Sequence, residues 1–179
     1  MSFDTDLVGV LPQLRRYARA LTGDRAWADD LVQETLLRAM ANINSFQPGT
    51  NMSAWLFTIL RNLFRSEYRK RRREVEDTDG GYAETLKSHP EQHSRVEFQE
   101  FRVALAKLPP DQREALILVG ASGFSYEEAA AICDCAVGTI KSRVNRARTR
   151  LSDLLSIEGA DDFGPDRTTR AILSAGGRS

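Results

Sequence analysis

The sequence predicts an all-α protein built from two small helical domains that are joined by a flexible linker. Three observations support this fold class. Apolar residues recur at i, i+3 and i+4 through most of the 179 residues, as they do along one face of an α-helix. The second half carries a helix-turn-helix signature, and an acidic stretch without periodicity precedes it. We predict domains at residues 1–73 and 94–158, a linker at 74–93 and a frayed tail at 159–179.

Two helices are predicted at the start of the chain. The first spans residues 5–22 and ends at Gly23, and Asp24 caps the second, which runs to about Ile43. One arc of the second helix is apolar. The opposite arc holds Asp30, Gln33, Glu34 and Leu37. A leucine among acids indicates either a protein-binding face or an ordinary exposed residue, and the pattern leaves both interpretations open.

A polar loop follows at residues 44–52 and contains a single aromatic residue, Phe46. Pro-Gly, two Asn, Ser and Thr within nine residues are typical of a loop. Such a loop offers Phe46 no evident core. Phe46 therefore either packs the loop against its own helices or stacks on a ligand such as an unpaired base.

One long helix is predicted over residues 53–73. Its core side is expected to hold Trp55, Leu56, Ile59, Leu60, Leu63 and Phe64. Its opposite side would hold Thr58, Arg61, Asn62, Arg65 and Arg69. Residues 61–73 include seven basic side chains and one acid, Glu67. This run is either a solvated helix end or a nucleic-acid contact, and the DNA-type module downstream favours the contact.

The second half begins with two further predicted helices. The first, residues 94–108, is stopped by Pro109-Pro110. The second, residues 112–120, is expected to be opened by a capping pair of Asp111 and Glu114.

A helix-turn-helix is predicted next. Ser125 and Glu128 form a capping box that opens a short Ala-rich helix. Cys133-Asp134-Cys135 interrupts this helix, and the next begins near Val137. The core side of that last helix holds Val137, Ile140, Val144, Ala147 and Leu151, and the opposite side holds Ser142, Asn145, Arg146 and Thr149. Residues 141–150 include five basic side chains and no acid, a composition that suits the phosphates and base edges of a DNA major groove.

Composition argues against several other classes. The formal net charge is zero, no apolar run is long enough to cross a bilayer, and the first residues do not form a signal peptide, so a cytoplasmic protein is expected. Cys133 and Cys135 could form a zinc set with His89 and His93, but the histidines lack the usual spacing and core packing is the favoured interpretation. No phosphate loop, activated serine or His–carboxylate constellation is present. We expect no enzymatic activity, cofactor, metal or small-molecule substrate.

Four ordered blocks resemble those of bacterial sigma-70 factors of the extracytoplasmic-function (ECF) group. They are DDLVQETLLRA at 29–39, AWLFTILRNLFRSEYRKRR at 54–72, LPPDQREALIL at 108–118 and GTIKSRVNRAR at 138–148. The resemblance covers about residues 7–155. Within the group, FQPGTNMSAWLFTILRN and SEYRKRRREVED are most similar to the EcfG-type general-stress sigma factors. The resemblance implies sigma region 2 in the first domain and region 4 in the second.

The resemblance also implies roles for individual residues. The protein would bind core RNA polymerase, direct it to promoters and open the −10 region. The large-subunit clamp helices of the polymerase would be contacted by Asp30, Gln33, Glu34 and Leu37. The −10 element would be contacted by Phe46, Thr58, Arg61, Asn62, Arg65 and Arg69, with Phe46 helping to capture a flipped base. The −35 element would be read by Lys141, Ser142, Asn145 and Arg146, while Thr139, Arg143 and Arg148 would hold phosphates.

Regulation is implied by the same resemblance. A small helical anti-sigma protein would wrap between the two domains until a phosphorylated response regulator with a sigma-like domain removes it. Two alternatives remain. A sigma-mimicking anti-anti-sigma protein is expected to have lost the basic reading helix, which is intact here. A free-standing helix-turn-helix regulator would account for neither the Phe46 loop nor the acidic face with its leucine.

Overall fold

Residues 3–77 and 93–155 are described by a computed structural model, with side chains from residue 98 onward in the second range. These two ranges contain seven α-helices and no strand, which confirms the all-α fold class. The chain divides between Lys87 and Ser88 into two compact units. The predicted tail and most of the predicted linker lie outside the described residues.

The first unit is a bundle of three helices. They are α1 (Phe3–Thr22), α2 (Arg25–Ala41) and α3 (Met52–Asp77), with a 3₁₀ turn at Ile43–Ser45. Each of the three helices packs against the other two. Asp24 caps α2 as predicted, because its side chain accepts a hydrogen bond from the backbone N–H of Trp27 at 3.0 Å.

The core of this unit corrects the predicted orientation of α3. Phe57 is fully buried and stacks on Tyr17 with ring centroids 4.6 Å apart, whereas Trp55 and Ile59 are only half-buried. Arg61, four residues after Phe57, is also buried. The inward arc is therefore rotated toward Phe57 and Arg61. Helix α3 also continues to Asp77, so the first four residues of the predicted linker are helical.

The second unit contains four helices. They are α4 (His93–Ala106), α5 (Pro110–Leu116), α6 (Tyr126–Cys133) and α7 (Val137–Leu155), with a π-helical turn at Ile117–Ala121 after α5. Helix α7 packs against α4, α5 and α6, and its residues Ile140, Val144, Ala147 and Leu151 are buried. The second unit therefore has its own core, built around α7.

The helix-turn-helix is confirmed, with α6 and α7 as its helices. Ser125 Oγ accepts from the Glu128 N–H at 3.1 Å and Glu128 Oε2 accepts from the Ser125 N–H at 2.8 Å, which completes the capping box. Helix α6 ends at Cys133, and its C-cap residue Asp134 has a left-handed φ of 51°. The Cys135 N–H then reaches the Ala130 carbonyl at 3.0 Å, in a Schellman arrangement.

The predicted capping pair at the start of α5 is wrong. Pro109 is the N-cap, and its ring has no atom that could accept a capping hydrogen bond. Pro110 follows at the first helical position, where its φ is preset and its missing N–H leaves one donor fewer to satisfy. Asp111 instead lies near Arg143 of α7, with Oδ2 3.5 Å from Nε. Glu114 is 1% exposed and accepts a hydrogen bond from Cys133 Sγ at 2.8 Å.

The cysteines lie where the sequence places the end of the short helix. Cys133 is buried in the core, and Cys135 is half-buried with its Sγ 3.9 Å from Arg143 Nη1. His89 and the side chain of His93 lie outside what the structure describes. Among the side chains of residues 3–77 and 98–155, no cluster of three or more His, Cys, Asp or Glu is placed to hold a metal ion. In the same part of the chain, no helix combines the length and apolarity needed to span a membrane.

Candidate nucleic-acid interface

The face of α7 opposite the core is polar and cationic. Lys141, Asn145 and Arg146 are exposed on it, as are Thr149 and Arg150 one turn later. The core side is buried as predicted, except that Val137 is half-buried. The segregation leaves hydrogen-bond donors and positive charge on one side of a helix that α5 and α6 hold in place.

A shallow groove of about 420 Å³ runs along this face. It is lined by Gln112, Asn145, Arg146, Thr149, Arg150 and Asp153. Gln112 belongs to α5 and was not among the predicted site residues. Its Oε1 is buried and has no hydrogen-bond partner among the described residues. Only the packing of α5 on α7 brings Gln112 beside Asn145, so a helical wheel drawn for α7 alone cannot reveal it.

The remaining predicted −35 residues are half-buried at the sides of α7. They are Thr139, Ser142, Arg143 and Arg148. The Arg143 guanidinium lies between Asp111 of α5 and Cys135 of the turn, at 3.5 and 3.9 Å. Lys141 Nζ lies 5.7 Å from the ring centroid of Tyr126 in α6. Arg143 is therefore tethered to the scaffold, whereas Asn145 and Arg146 are exposed to solvent.

Helix α3 presents a second stripe of polar and basic side chains. Asn62 and Arg69 are exposed, and Thr58 and Arg65 are half-buried on the same side of the helix. The Thr58 hydroxyl donates to the Ala54 carbonyl at 2.8 Å, and Arg69 Nε donates to the Arg65 carbonyl at 3.3 Å. Both side chains keep capacity for a further hydrogen bond.

Arg61 is a correction to the predicted −10 set. Its side chain is only 7% exposed, because the rotation of α3 turns it inward with Phe57 and Leu60. The Arg61 side chain also has an interaction partner. We therefore remove Arg61 from the residues that are expected to contact DNA.

Phe46 packs against its own unit. Its ring lies 5.1 Å from that of Trp55 and 6.2 Å from that of Phe3, and Phe3 lies 6.3 Å from Trp55. The loop returns to α3 through Asn51, whose Oδ1 accepts from the Ala54 N–H at 3.2 Å. The packing interpretation of Phe46 is thus correct for the free chain, and base stacking remains a prediction. Phe46 stays half-buried, so part of its ring is open to solvent.

The acidic face of α2 is exposed and more apolar than predicted. Leu37 is 63% exposed beside exposed Asp30 and Gln33. Glu34 is half-buried and accepts from Arg38 Nε at 2.8 Å. Met40, 58% exposed, and Ile43, 41% exposed, extend the apolar surface beyond Leu37. Met40 and Ile43 follow Leu37 at intervals of three residues, so the sequence indicates that they share its side of the helix. Ile43 was predicted only as the end of that helix.

Comparison with known families agrees with this architecture. Residues 8–74 match the family Sigma-70 region 2, and residues 98–151 match Sigma-70, region 4. The chain is 70% identical over 176 residues to the ECF RNA polymerase sigma factor EcfG of Rhodopseudomonas palustris (strain TIE-1), covering 98% of this chain and 97% of that protein.

Two solved structures are similar. One is the sigma factor RpoE of Bartonella quintana in complex with the anti-sigma factor NepR, at 55% identity and a TM-score of 0.79, covering 88% of this chain and 98% of that one. The anti-anti-sigma factor PhyR of the same organism, also bound to NepR, reaches a TM-score of 0.58 at 22% identity over 85% of this chain and half of PhyR. The likeness to PhyR shows a shared fold only.

Both family matches occur in the order that the sequence predicts, and the identity to a curated relative extends over nearly the whole chain. The chain therefore belongs to the ECF group of the sigma-70 family of RNA polymerase sigma factors.

Proposed function

We propose that this protein directs core RNA polymerase to promoters of general stress genes by reading a −35 element with α7 and opening a −10 element with α3 and the Phe46 loop. The observation that carries the proposal is the exposed face of α7, where Asn145 and Arg146 stand beside Lys141 with no acid between residues 141 and 150. The protein would act in the cytoplasm and have no catalytic site of its own, because the polymerase supplies the chemistry.

Base reading at the −35 element follows from the chemistry of α7. Arginine can donate two hydrogen bonds to the O6 and N7 of guanine, and asparagine can pair with the N6 and N7 of adenine. Arg146 and Asn145 are adjacent and exposed, so both can reach base edges from one insertion of the helix. Thr139, Arg143 and Arg148 lie at the sides, where phosphates of the flanking backbone would pass.

Opening of the −10 element is assigned to the first unit. Flipping a base out of the duplex costs a few kcal/mol, and stacking on an aromatic ring returns about 1–3 kcal/mol per base. Phe46 is the aromatic residue of the loop, and Asn62, Arg65 and Arg69 supply polar and cationic groups on the neighbouring helix. Phe46 must leave or share its contact with Trp55 to capture a base.

The exposed face of α2 suits a protein partner. Leu37 and Met40 offer apolar surface, and Asp30 and Glu34 give it negative charge, which fits a helical surface that is apolar and basic. We assign it to the clamp helices of the polymerase large subunit. The relative RpoE binds the anti-sigma factor NepR, and we infer a small helical anti-sigma factor as the inhibitory partner of this chain.

Transcription in vitro is the direct test of this function. Purified protein added to sigma-free core polymerase should produce transcripts from templates with the GGAAC-type −35 and GTT-type −10 elements that the resemblance to EcfG-type sigma factors implies. Templates with a scrambled −35 should give none. Core polymerase without the protein is the control. Failure on every candidate template, with core polymerase shown to be active with another sigma factor, would contradict the proposal.

Arg146→Ala should lower promoter discrimination while leaving the fold intact. Loss of a base-edge donor costs about 1–3 kcal/mol at the cognate −35 sequence and little at random sequences. Binding of the holoenzyme to cognate and scrambled −35 duplexes measures the difference. Arg150→Ala, which removes the same charge one turn later, is the matched control and should weaken both duplexes alike. Equal loss on both duplexes for Arg146→Ala would reject base reading by this residue.

Phe46→Ala should leave −35 binding unchanged and slow promoter opening about tenfold, because a stacking contact of about 1–3 kcal/mol is lost. Permanganate footprinting of unpaired thymines measures the opening. Gln47→Ala, the exposed neighbour in the same loop, is the control and should open promoters normally. Normal melting by Phe46→Ala would exclude base capture by this ring.

Glu34→Lys should weaken binding to core polymerase about tenfold or more, because it places a positive charge against a basic surface. Competition against another sigma factor for limiting core polymerase measures the effect. The substitution also breaks the ion pair with Arg38, and Arg38→Ala breaks the same pair without changing residue 34. If Glu34→Lys competes for core polymerase as well as the wild type does, or if Arg38→Ala weakens binding to the same extent, a direct contact of Glu34 is excluded.

A further inference from the structure

The last turns of α3 extend beyond the core of the first unit. The buried residues of this helix end at Phe64, yet the helix continues to Asp77. The extension includes five consecutive basic residues, 69–73, all of them exposed. Like charges this close repel one another, and a solvent-exposed helical segment of this length is marginal by itself. Contacts from elsewhere in the unit must therefore hold the extension in place.

Trp27, near the start of α2, supplies such contacts. Its indole Nε1 donates a hydrogen bond to Glu67 Oε2 at 2.6 Å. The guanidinium of Arg71 lies 3.9 Å from the centroid of the Trp27 ring, well within cation–π range. The ring is also 5.5 Å from that of Phe64, the last buried residue of α3. One side chain of α2 thus contacts α3 at three points across nearly two helical turns.

Glu67 and Arg71 lie on the same side of α3, four residues apart, and both contact the Trp27 side chain. Arg71 therefore differs from the other basic residues of the run. Arg72 lies at 6.0 Å from the centroid of Tyr68, a longer contact within α3 itself. Arg69 and Arg73 donate only to backbone carbonyls of the preceding turn.

We propose that Trp27, together with Glu67 and Arg71, is a positioning clamp that fixes the basic extension of α3 so that Arg69, Lys70, Arg72 and Arg73 meet the phosphates of duplex DNA. Arg71 serves the clamp and not the DNA. The inference rests on the proposed function, since it assumes that α3 faces DNA. Its first part, that Trp27 holds the extension, does not depend on DNA.

Hydrogen exchange of the full-length protein tests that first part. Trp27→Leu should raise amide exchange over residues 67–73 about tenfold and leave residues 56–64 as in the wild type. Trp27→Phe keeps a ring for Arg71 but lacks the N–H, so it should give a smaller increase. Exchange at residues 67–73 that is unchanged in Trp27→Leu would overturn the clamp. If Trp27→Leu unfolds the whole unit, Trp27→Phe is compared with the wild type instead. Unchanged exchange at residues 67–73 in Trp27→Phe would then overturn the clamp.

Salt-dependent binding to a random-sequence duplex tests the second part. Trp27→Leu changes no charge, yet it should lower the slope of log K against log salt by about one or more, because fewer phosphates are neutralised at once. Arg71→Gln and Arg72→Gln each remove one charge. In the wild-type background, Arg72→Gln should lower the slope by about one, because Arg72 contacts a phosphate. Arg71→Gln added to Trp27→Leu should cause little further loss, because the clamp that Arg71 serves is already lost.

The outcomes separate the two proposals. A wild-type slope in Trp27→Leu, or a further loss of about one in slope when Arg71→Gln is added to Trp27→Leu, would overturn the positioning role. Absence of salt-dependent duplex binding by the wild-type protein, both free and in holoenzyme, would instead count against the proposed function. In that case the hydrogen-exchange result would still decide whether Trp27 holds the extension.

Discussion

The exposed cationic face of α7 depends on the turn at Asp134. A non-glycine residue in the left-handed conformation costs free energy, although aspartate tolerates it better than most residues. The Cys135 N–H bond to Ala130 and the small buried residues Ala129 and Ala130 allow α7 to leave α6 at close range. Ile140 and Val144 then lie in the core. Because these positions are fixed, the opposite face of α7, which carries the basic side chains, must point to solvent.

Local signals explain why so much of the fold could be predicted from the sequence. Asp24 and Ser125 are caps whose partners lie three residues away, and in α7 apolar and charged residues are cleanly segregated. Helix α3 differs because Arg61 lies on its inward side next to Phe57. Sorting residues by polarity assigns Arg61 to the solvent face, although the aliphatic stem of an arginine can be buried. Only the packing of α1 and α2 reveals which side of α3 faces inward.

Contacts between distant residues account for the other misses. Asp111 and Glu114 have the same spacing as the capping box of Ser125 and Glu128, but they do not form one. Asp111 accepts from the adjacent Gln112 N–H and lies near Arg143 of α7, and Glu114 accepts from Cys133 of α6. Gln112 enters the α7 groove for the same reason. A short pattern cannot specify whether a carboxylate will find its own backbone or a side chain many residues away. Which residues share one face of a helix was therefore predictable, and which residues a second helix adds beside them was not.

The position of Phe46 sets an energetic condition on promoter opening. An aromatic pair contributes about 0.5–1.5 kcal/mol beyond its buried area, so the loss of the Trp55 contact offsets part of the 1–3 kcal/mol that base stacking would return. Flipping the base itself costs a few kcal/mol. Capture of a base by Phe46 is thus close to balanced or unfavourable without further contacts. If Phe46 captures a base as proposed, the cationic stripe of α3 and the polymerase must supply the remainder, and the loop would open DNA only when α3 is already engaged.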